Sequence, residues 1–389
     1  MKAVLRIAQR EIKILIRNRV LVTFAIIFPV LTFLFFTSLL HEGVPNDLPV
    51  AVVDLDNSAL SRKLVSDLDA TPQLQVSNFP LTQQEGERLI RLGQVYGLIT
   101  IPDNFDSKIR RGQQVTLLNQ YNSNFLLPGG LENKAVRTVI GNLSAGISVK
   151  KEMKQGTGYD QAVAGLQPVA LSSHIISNPQ LNYSYYLNTG FLSFFLQIFV
   201  ILTTIYSFGS DLKYGKGNKL WAIGNESISK VLAGKVLPYT LWFIFLGIAM
   251  LFGMFVLKEF PMNGSKTALL VATILLVLSS QAVAIFLTAT SKSIREALTK
   301  GSGFAAVGLS FSGITFPIFG MPVLMQWLSQ IFPYTHYLKI LIDQSQRAAP
   351  VYYSLWSMMI LLLFCVVPLL LSRGKLKKLL INGEYPETA

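Results

Sequence analysis

The stretch from residue 20 to residue 40, VLVTFAIIFPVLTFLFFTSLL, contains no Asp, Glu, Lys or Arg. An α-helix needs about 20 apolar residues to cross a hydrocarbon core roughly 30 Å thick, so this stretch is long enough to span a membrane. Three further charge-free runs follow, at residues 236–257, 267–291 and 348–372. Charged residues make up only 14% of the chain, compared with about 25% in soluble domains. The sequence therefore predicts an α-helical polytopic membrane protein.

Two longer runs without those four residue types must be divided. Residues 161–210 are densely apolar only towards their end, where we predict a span. Residues 301–338 are too long for one span and contain three prolines, which predicts one span followed by an outer hairpin or loop at 321–349. Together these runs predict six transmembrane helices, at residues 20–40, 187–210, 236–257, 267–290, 300–320 and 350–372.

The distribution of basic residues predicts the orientation, because Lys and Arg concentrate in short cytoplasmic loops. With both termini in the cytoplasm, the segments on that side are 1–19, 211–235, 292–300 and 373–389. They hold 18 basic and 6 acidic residues, whereas segment 41–186 holds 12 basic and 13 acidic residues. Most of the net charge of +13 thus follows from topology. We expect a cell (inner) membrane location and no nucleic-acid partner.

The segment 1–19 has the pattern of an amphipathic helix at the membrane surface. Its basic residues recur at helical spacing on one face, and apolar residues occupy the other. Two interpretations remain open at this point. The helix is either a simple orientation signal or an interfacial element that also contacts a cytoplasmic partner.

The segment 41–186 is long enough to bury a core of its own. Apolar runs such as PVAVVDLDN alternate with helical patterns such as SALSRKLVSDLDA, and a long helical pattern closes the segment at about residues 131–153. This alternation predicts an inserted extracytoplasmic α/β domain.

Catalytic and metal-binding motifs are missing from the sequence. Neither Gly215-Lys216 nor Gly234-Lys235 has the upstream glycine or the following Ser or Thr of a phosphate-binding loop. The three histidines lie far apart, and the serine–lysine spacings are too short to be specific. Apart from Lys300 at the first position of the fifth, the six spans contain no Asp, Glu, Lys or Arg, which argues against an ion-coupled carrier. We therefore expect no enzyme activity, no metal and no cofactor on this chain.

Several stretches, in order, resemble the membrane subunit of ABC-2 type transporters. They are LPVAVVDLDNSALSRKL (48–64), VYGLITIPDNFDSKIRRGQ (95–113) and FSGITFPIFGMPVLMQWLSQIFPYTHYLKIL (311–341). In the last stretch the resemblance assigns structural hairpin residues to Gly313, Pro317, Pro322 and Pro333. The resemblance covers nearly the whole chain and implies a permease whose ATP and Mg are bound by a partner subunit.

The resemblance also gives a role to the loop 211–235, which docks on the ATP-binding subunit in this family. The loop departs from the family pattern at Lys213, where a second acid is common, and at Lys216, where Thr is common. Trp221 either fills a pocket on the partner or lies at the membrane interface. The candidate ATPase-coupling residues are Arg6, Arg10, Asp211, Gly215, Trp221, Gly224, Gly234 and Lys235.

The resulting hypothesis is a permease that exports a hydrophobic or amphipathic, drug-like or lipid-like compound. Its expected partners are a cytoplasmic ABC ATPase, a second permease subunit, the lipid bilayer, and a periplasmic adaptor with an outer-membrane duct. The alternative is a membrane receptor or scaffold whose outer domain binds a ligand or surface partner. The two differ in whether an ATPase accompanies the chain.

Overall fold

The computed structural model describes residues 2–40, 43–122, 126–156, 158–159 and 182–386. The chain forms two compact units. One, here called the helical unit, comprises Met1–Gly43 and Ile175–Ala389, and the other, the α/β unit, comprises Val44–His174.

The helical unit begins with α1 (Lys2–Arg17). This helix ends before Asn18, whose side-chain oxygen accepts hydrogen bonds from the Val20 and Leu21 amides and so caps the next helix. The first long apolar helix consists of α2 (Arg19–Val22), a π-helical segment (Thr23–Ile27) and α3 (Phe28–Leu39). The later helices of this unit are α8 (Tyr183–Lys213), α9 (Gly217–Ile223), α10 (Ile228–Phe252), α11 (Lys266–Ala289), α12 (Ile294–Phe311), α13 (Val323–Ser329), α14 (Pro333–Ser345) and α15 (Val351–Asn382). A second π-helical segment, Gly253–Leu257, extends α10.

Among the described residues, five helices are long and apolar enough to cross a membrane. They are Arg19–Leu39, Ser184–Lys213, Ile228–Leu257, Lys266–Ala289 and Val351–Asn382. Each contains one of the predicted spans to within one residue. The sixth predicted span, 300–320, corresponds to α12, which has 18 residues and begins with a charged turn that includes Glu296. A polytopic helical membrane protein is confirmed, and the count of six spans stays a prediction.

Three of the five helices are longer than their predicted spans, because helical backbone continues past the charged residues that bound the apolar run. The loop predicted at 211–235 contains the end of α8, the short helix α9 and the first turns of α10. The tail predicted at 373–389 continues α15 as helix to Asn382. These extensions place charged residues on the ends of membrane helices.

The predicted hairpin after α12 consists of short helices joined by prolines. Gly313 has a φ of +95°, a left-handed conformation that favours glycine. Pro317 and Pro322 precede a 3₁₀ turn (Ile318–Gly320) and α13, and Pro333 begins α14, where a missing amide hydrogen costs nothing. Helix α14 is buried, and its Tyr334 hydroxyl donates to the Gly190 carbonyl at 2.5 Å.

The α/β unit contains the predicted alternation of strands and helices. Its sheet has the order β2-β1-β3-β4, with β4 antiparallel to β3 and the other pairs parallel. The elements are β1 (Leu48–Asp54), α4 (Ala59–Asp69), β2 (Leu74–Asn78), α5 (Gln83–Arg91), β3 (Gly97–Ile101), α6 (Phe105–Arg110), β4 (Leu118–Tyr121) and α7 (Leu126–Lys154). Val50, Val52 and Ile99 belong to the larger core, beside α4 and α7.

Candidate functional site

Four charged side chains from three helices meet inside the helical unit. Arg10 and Glu11 lie on α1, Asp211 lies near the end of α8, and Lys235 lies near the start of α10. The Lys235 ammonium is 2.7 Å from Asp211 Oδ2 and 3.0 Å from Glu11 Oε2. The Arg10 guanidinium binds both oxygens of Asp211, at 2.5 and 2.9 Å, and also Glu11. We call these four residues the charge network.

Three of the four side chains in the charge network are withdrawn from solvent. The side chains of Lys235 and Glu11 are each 1% exposed, and that of Asp211 is 7% exposed. Two cations and two anions balance, and the hydroxyls of Ser207 and Tyr239 also donate to Glu11 Oε2, at 3.2 and 3.3 Å. Buried charges are tolerated when they are paired and hydrogen-bonded, and this arrangement meets that condition.

Burial and charge act in opposite directions on Arg10. Partial burial lowers the pKa of the guanidinium, while the hydrogen bond and the charge of Asp211 raise it, and the net direction is upward. Arg10 therefore remains a cation. The fixed charge holds α1 against the end of α8 through a bidentate pair, the geometry that a planar guanidinium favours.

Backbone packing reinforces the contact between α1 and α10. A Cβ atom added at Gly234 would lie 2.7 Å from Ile7 Cβ and 2.8 Å from the Val4 carbonyl oxygen. Only glycine allows the two helices to come this close. The predicted coupling residue Gly234 is thus a packing position that brings Lys235 within reach of Glu11.

A basic groove opens beside the charge network, between α1 and α9. Its volume is about 690 Å³. Arg10, at the edge of the groove, is paired with Asp211. Five other cations line the groove, and none of them forms an ion pair with another described residue. We define the basic groove by its six cations, which are Arg6, Arg10, Lys13, Arg17, Lys216 and Lys219.

The remaining predicted coupling residues shape the neighbourhood of α9. Gly215 has a φ of +63° at the turn before α9, and Gly224 ends the helix, where a Cβ would lie 2.4 Å from Val231. Trp221 is half-buried against the cluster that contains Leu376, and the Lys377 ammonium lies 5.8 Å from its ring centroid. Trp221 therefore packs on α15 of its own chain.

The sequence reasoning missed Glu11 and the contact of α9 with the chain end. Glu11 is the one acid in an otherwise basic helix, and that exception was the available signal. The Gly217 amide donates to the Gly383 carbonyl at 3.0 Å, and Tyr385 is buried in the same cluster as Leu220. Sequence gave no sign of this contact, since residues 217 and 383 are far apart in the chain.

The arrangement offers mechanical linkage and anion binding. Among the described residues, no group of three or more His, Cys, Asp or Glu side chains is placed to hold a metal ion. Asp211 and Glu11 are both occupied by cations of the chain itself. The charge network ties α1 to two spans, and the basic groove leaves unpaired cations beside it.

Known proteins match most of the length of this chain. The family model described as ABC-2 family transporter protein matches residues 19–373. The chain is 23% identical over 333 residues to ABC transporter G family member 20 of Dictyostelium discoideum, a match that covers 85% of this chain and 44% of that protein. It is 22% identical over 350 residues to the linearmycin resistance permease protein LnrN of Bacillus subtilis (strain 168), covering 86% of this chain and 88% of that protein.

The first of these relatives is more than twice as long as the matched region, so this chain corresponds to less than half of it. The second is matched over most of its length. The family model covers the whole α/β unit and most of the helical unit, but not α1 or the end of α15. The chain belongs to the ABC-2 family of transporter proteins.

Proposed function

We propose that the chain is the permease of an ATP-driven exporter, moving a hydrophobic or amphipathic compound outward with energy from a separate ABC ATPase. The observation that carries the proposal is the basic groove between α1 and α9, next to a buried charge network that joins α1 to two spans. Membership of the ABC-2 family supports a partnership with an ATPase.

The basic groove is suited to an acidic surface on the ATPase. Five of its cations are unpaired within the described part of the chain, so they repel one another until an acidic partner binds. Complementary charge of this kind fixes register and speeds association. This proposal assigns α9, the basic groove and both termini to the cytoplasm, and the α/β unit to the opposite side of the inner membrane.

The charge network would carry motion from the ATPase to the spans. Arg10 and Glu11 hold α1 to Asp211 on α8 and to Lys235 on α10. A displacement of α1 and α9 by the ATPase would therefore move both helices together, because separating these buried charges costs several kcal/mol, on the order of 3–5. The spans would then open a path outward.

The cargo class rests on the chemistry of the spans and on one relative. LnrN is named a resistance permease. The spans described here carry no charge in their centres, which suits an uncharged or amphipathic compound. On α8, the side-chain oxygens of Gln197, Thr203 and Thr204 are buried and have no hydrogen-bond partner within the described residues, so they would meet a polar group of the cargo only when the helices move apart.

A second permease subunit would complete the path. Helix α12 exposes a row of small residues, Gly303, Ala306 and Ser310, and small residues allow membrane helices to approach closely. We therefore place the partner permease against α12. A periplasmic adaptor and an outer-membrane duct would meet the α/β unit, which leaves Phe79 and Leu81 exposed.

Purification of tagged full-length protein from its native membrane, followed by mass spectrometry, tests the proposal. We expect an ABC ATPase to co-purify at low salt, and we expect Lys216→Glu with Lys219→Glu to reduce its recovery roughly tenfold, since each 1.4 kcal/mol lost in binding is about a factor of ten. The control is Lys375→Glu with Lys378→Glu, which makes the same charge change on α15 outside the basic groove.

Two results would count against the proposal. Absence of any ATPase in several detergents would favour the receptor or scaffold alternative. Equal loss of ATPase in the groove variant and in the α15 control would mean that overall charge, not the basic groove, governs the association.

A further inference from the structure

An apolar crevice opens between three of the long apolar helices. It lies between α3, α8 and α10 and has a volume of about 180 Å³. Eleven of its twelve lining residues are apolar, and Thr32 is the exception. Its walls come from segments that each qualify as a membrane span, so the crevice lies at the depth of the hydrocarbon core.

The crevice has a buried floor and an exposed rim. Leu192, Leu196 and Met250 form the floor and are 4–6% exposed. Val30 and Leu34 at the rim are 44% and 58% exposed. The opening therefore faces away from the body of the helical unit, where a molecule from the surrounding bilayer can enter.

The size of the crevice suits hydrocarbon. An apolar cavity of about 150 Å³ lined by Leu, Ile and Phe stays free of water and accepts benzene. This crevice is slightly larger and has similar walls, so water gains too few hydrogen bonds there to occupy it. A segment of hydrocarbon chain in the crevice would bury its own apolar surface and that of the walls. The free energy of transfer from water to such a site is about 0.8 kcal/mol for each CH₂ group. For a chain that comes from the lipid phase, the gain is closer dispersion contact.

The surrounding surface indicates lipid, not a second protein helix. The first span exposes the large side chains Leu31, Leu34 and Phe35 around the rim. Membrane helices associate through small residues, and such a face is present on α12. Large flexible side chains around a concave opening fit a mobile chain better than another rigid helix.

We propose that this crevice binds one acyl chain of a membrane phospholipid. The bound chain would contact the floor at Leu196 and Met250 and pass the rim at Ala249. The proposal does not depend on which compound the protein transports. With the acyl chain bound, part of the contact between the first span and α8 would pass through the lipid.

The test uses purified full-length protein in nanodiscs that contain a phospholipid with a diazirine on one acyl chain and no transported compound. After illumination, mass spectrometry locates the labelled residues. We expect labelling to concentrate on the floor residues Leu196 and Met250. Ala249→Phe fills the opening and is expected to reduce that labelling roughly tenfold, the ratio given by about 1.4 kcal/mol of lost binding.

Two further variants keep the outcome independent of misfolding. Ile248→Phe places the same aromatic ring at the preceding residue of α10, which is exposed but does not line the crevice, and should leave the labelling unchanged. Leu196→Ala deepens the floor and should increase labelling at Met250. The proposal is overturned if labelling is uniform along exposed α10 and indifferent to Ala249→Phe. It is also overturned if cysteines introduced at Val30 cross-link two permease subunits, because a second copy would then cover the opening.

Discussion

At the scale of single residues, the buried ammonium of Lys235 is the group on which the charge network depends most. Its two carboxylate partners, Asp211 and Glu11, are nearly as buried as Lys235 itself. Removing one partner of a buried pair leaves an uncompensated charge, whereas replacing both with apolar groups can be nearly neutral.

We expect Lys235→Met to destabilise the folded protein by about 3–5 kcal/mol, because Asp211 and Glu11 would lose a shared cation. The double variant Lys235→Met with Asp211→Asn should recover part of this loss. Thermal unfolding of the purified protein in detergent measures both. The control is Lys300→Met, which breaks the exposed pair with Glu296 and should cost less than about 1 kcal/mol. Additive losses in the double variant would contradict a coupled network.

Glu132 in the α/β unit predicts a pH-dependent stability. Its carboxyl group is fully buried, Oε1 has no partner among the described atoms, and Oε2 accepts only a long hydrogen bond from Asn119 at 3.4 Å. Burial raises the pKa of Glu132 to about 7, while the hydrogen bond from Asn119 opposes this. The folded state thus binds a proton that the unfolded state releases at lower pH.

The pKa of Glu132 is higher in the folded state than in the unfolded state, so the contribution of this group to stability is greatest below about pH 4.5. That contribution falls as the pH rises to about 7 and then levels off. The expected loss is about 3 kcal/mol at 1.36 kcal/mol for each pKa unit. Hydrogen exchange of peptides from β3 and α7 in the full-length protein, corrected for intrinsic exchange at pH 5 and 7.5, measures it. Glu132→Gln should abolish the difference between the two pH values, and an unchanged difference would contradict the assignment.

At the scale of elements, the contact between α1 and α10 depends on the absence of a side chain at one position. Gly234→Val would place atoms against Ile7 and the Val4 carbonyl. We expect a cost of about 1–3 kcal/mol, typical of overpacking, and release of α1 from α10. Protease accessibility of α1 reports the release. Gly374→Val on α15 has open space around it and serves as the control. If α1 is equally protected from protease in both variants, the close approach at Gly234 is not what holds α1 to α10.

Helix α9 illustrates how an element too short to be stable alone is fixed by its neighbours. It has seven residues, and an isolated helix of that length is unstable in water. Leu220 packs in a cluster with Val231, Leu376 and Tyr385. The Gly217 amide at its start donates to the Gly383 carbonyl.

At the scale of the whole molecule, the hydrogen bond from Gly217 to Gly383 joins the middle of the chain to its last residues. Truncation after Asn382 removes the Gly383 carbonyl and the buried Tyr385 ring. We expect faster tryptic cleavage at Lys216 and Lys219, which are exposed, because α9 would lose its support. Truncation after Pro386 is the matched control. If both truncated proteins are cleaved at the same rate, the chain end does not stabilise α9.

The orientation of the whole molecule is also testable. If both termini lie in the cytoplasm, fluorescent protein fused after Ala389 will be fluorescent, and alkaline phosphatase inserted in the α/β unit will be active. Each reporter works on only one side of the membrane. The reverse result would exchange the sides that we assign to the basic groove and to the α/β unit.

The sequence by itself determined the membrane class, five of the long apolar helices, the order of strands and helices in the α/β unit and the family. These features depend on local periodicity and on uninterrupted apolar length, which can be read along the chain. The three hairpin prolines were likewise found as breaks in an apolar run, whereas Gly313 came from the resemblance to the family.

Only the tertiary structure decided which charges pair, how α9 is supported and where cavities form. Arg10, Asp211 and Lys235 were candidates from the sequence, yet Glu11 entered only when α1 packed on α8 and α10. Trp221 packs on α15, a neighbour that no local pattern could indicate. The physical reason is that burial and pairing energies depend on contacts between residues distant in the chain, whereas periodicity records only which face of each helix is apolar.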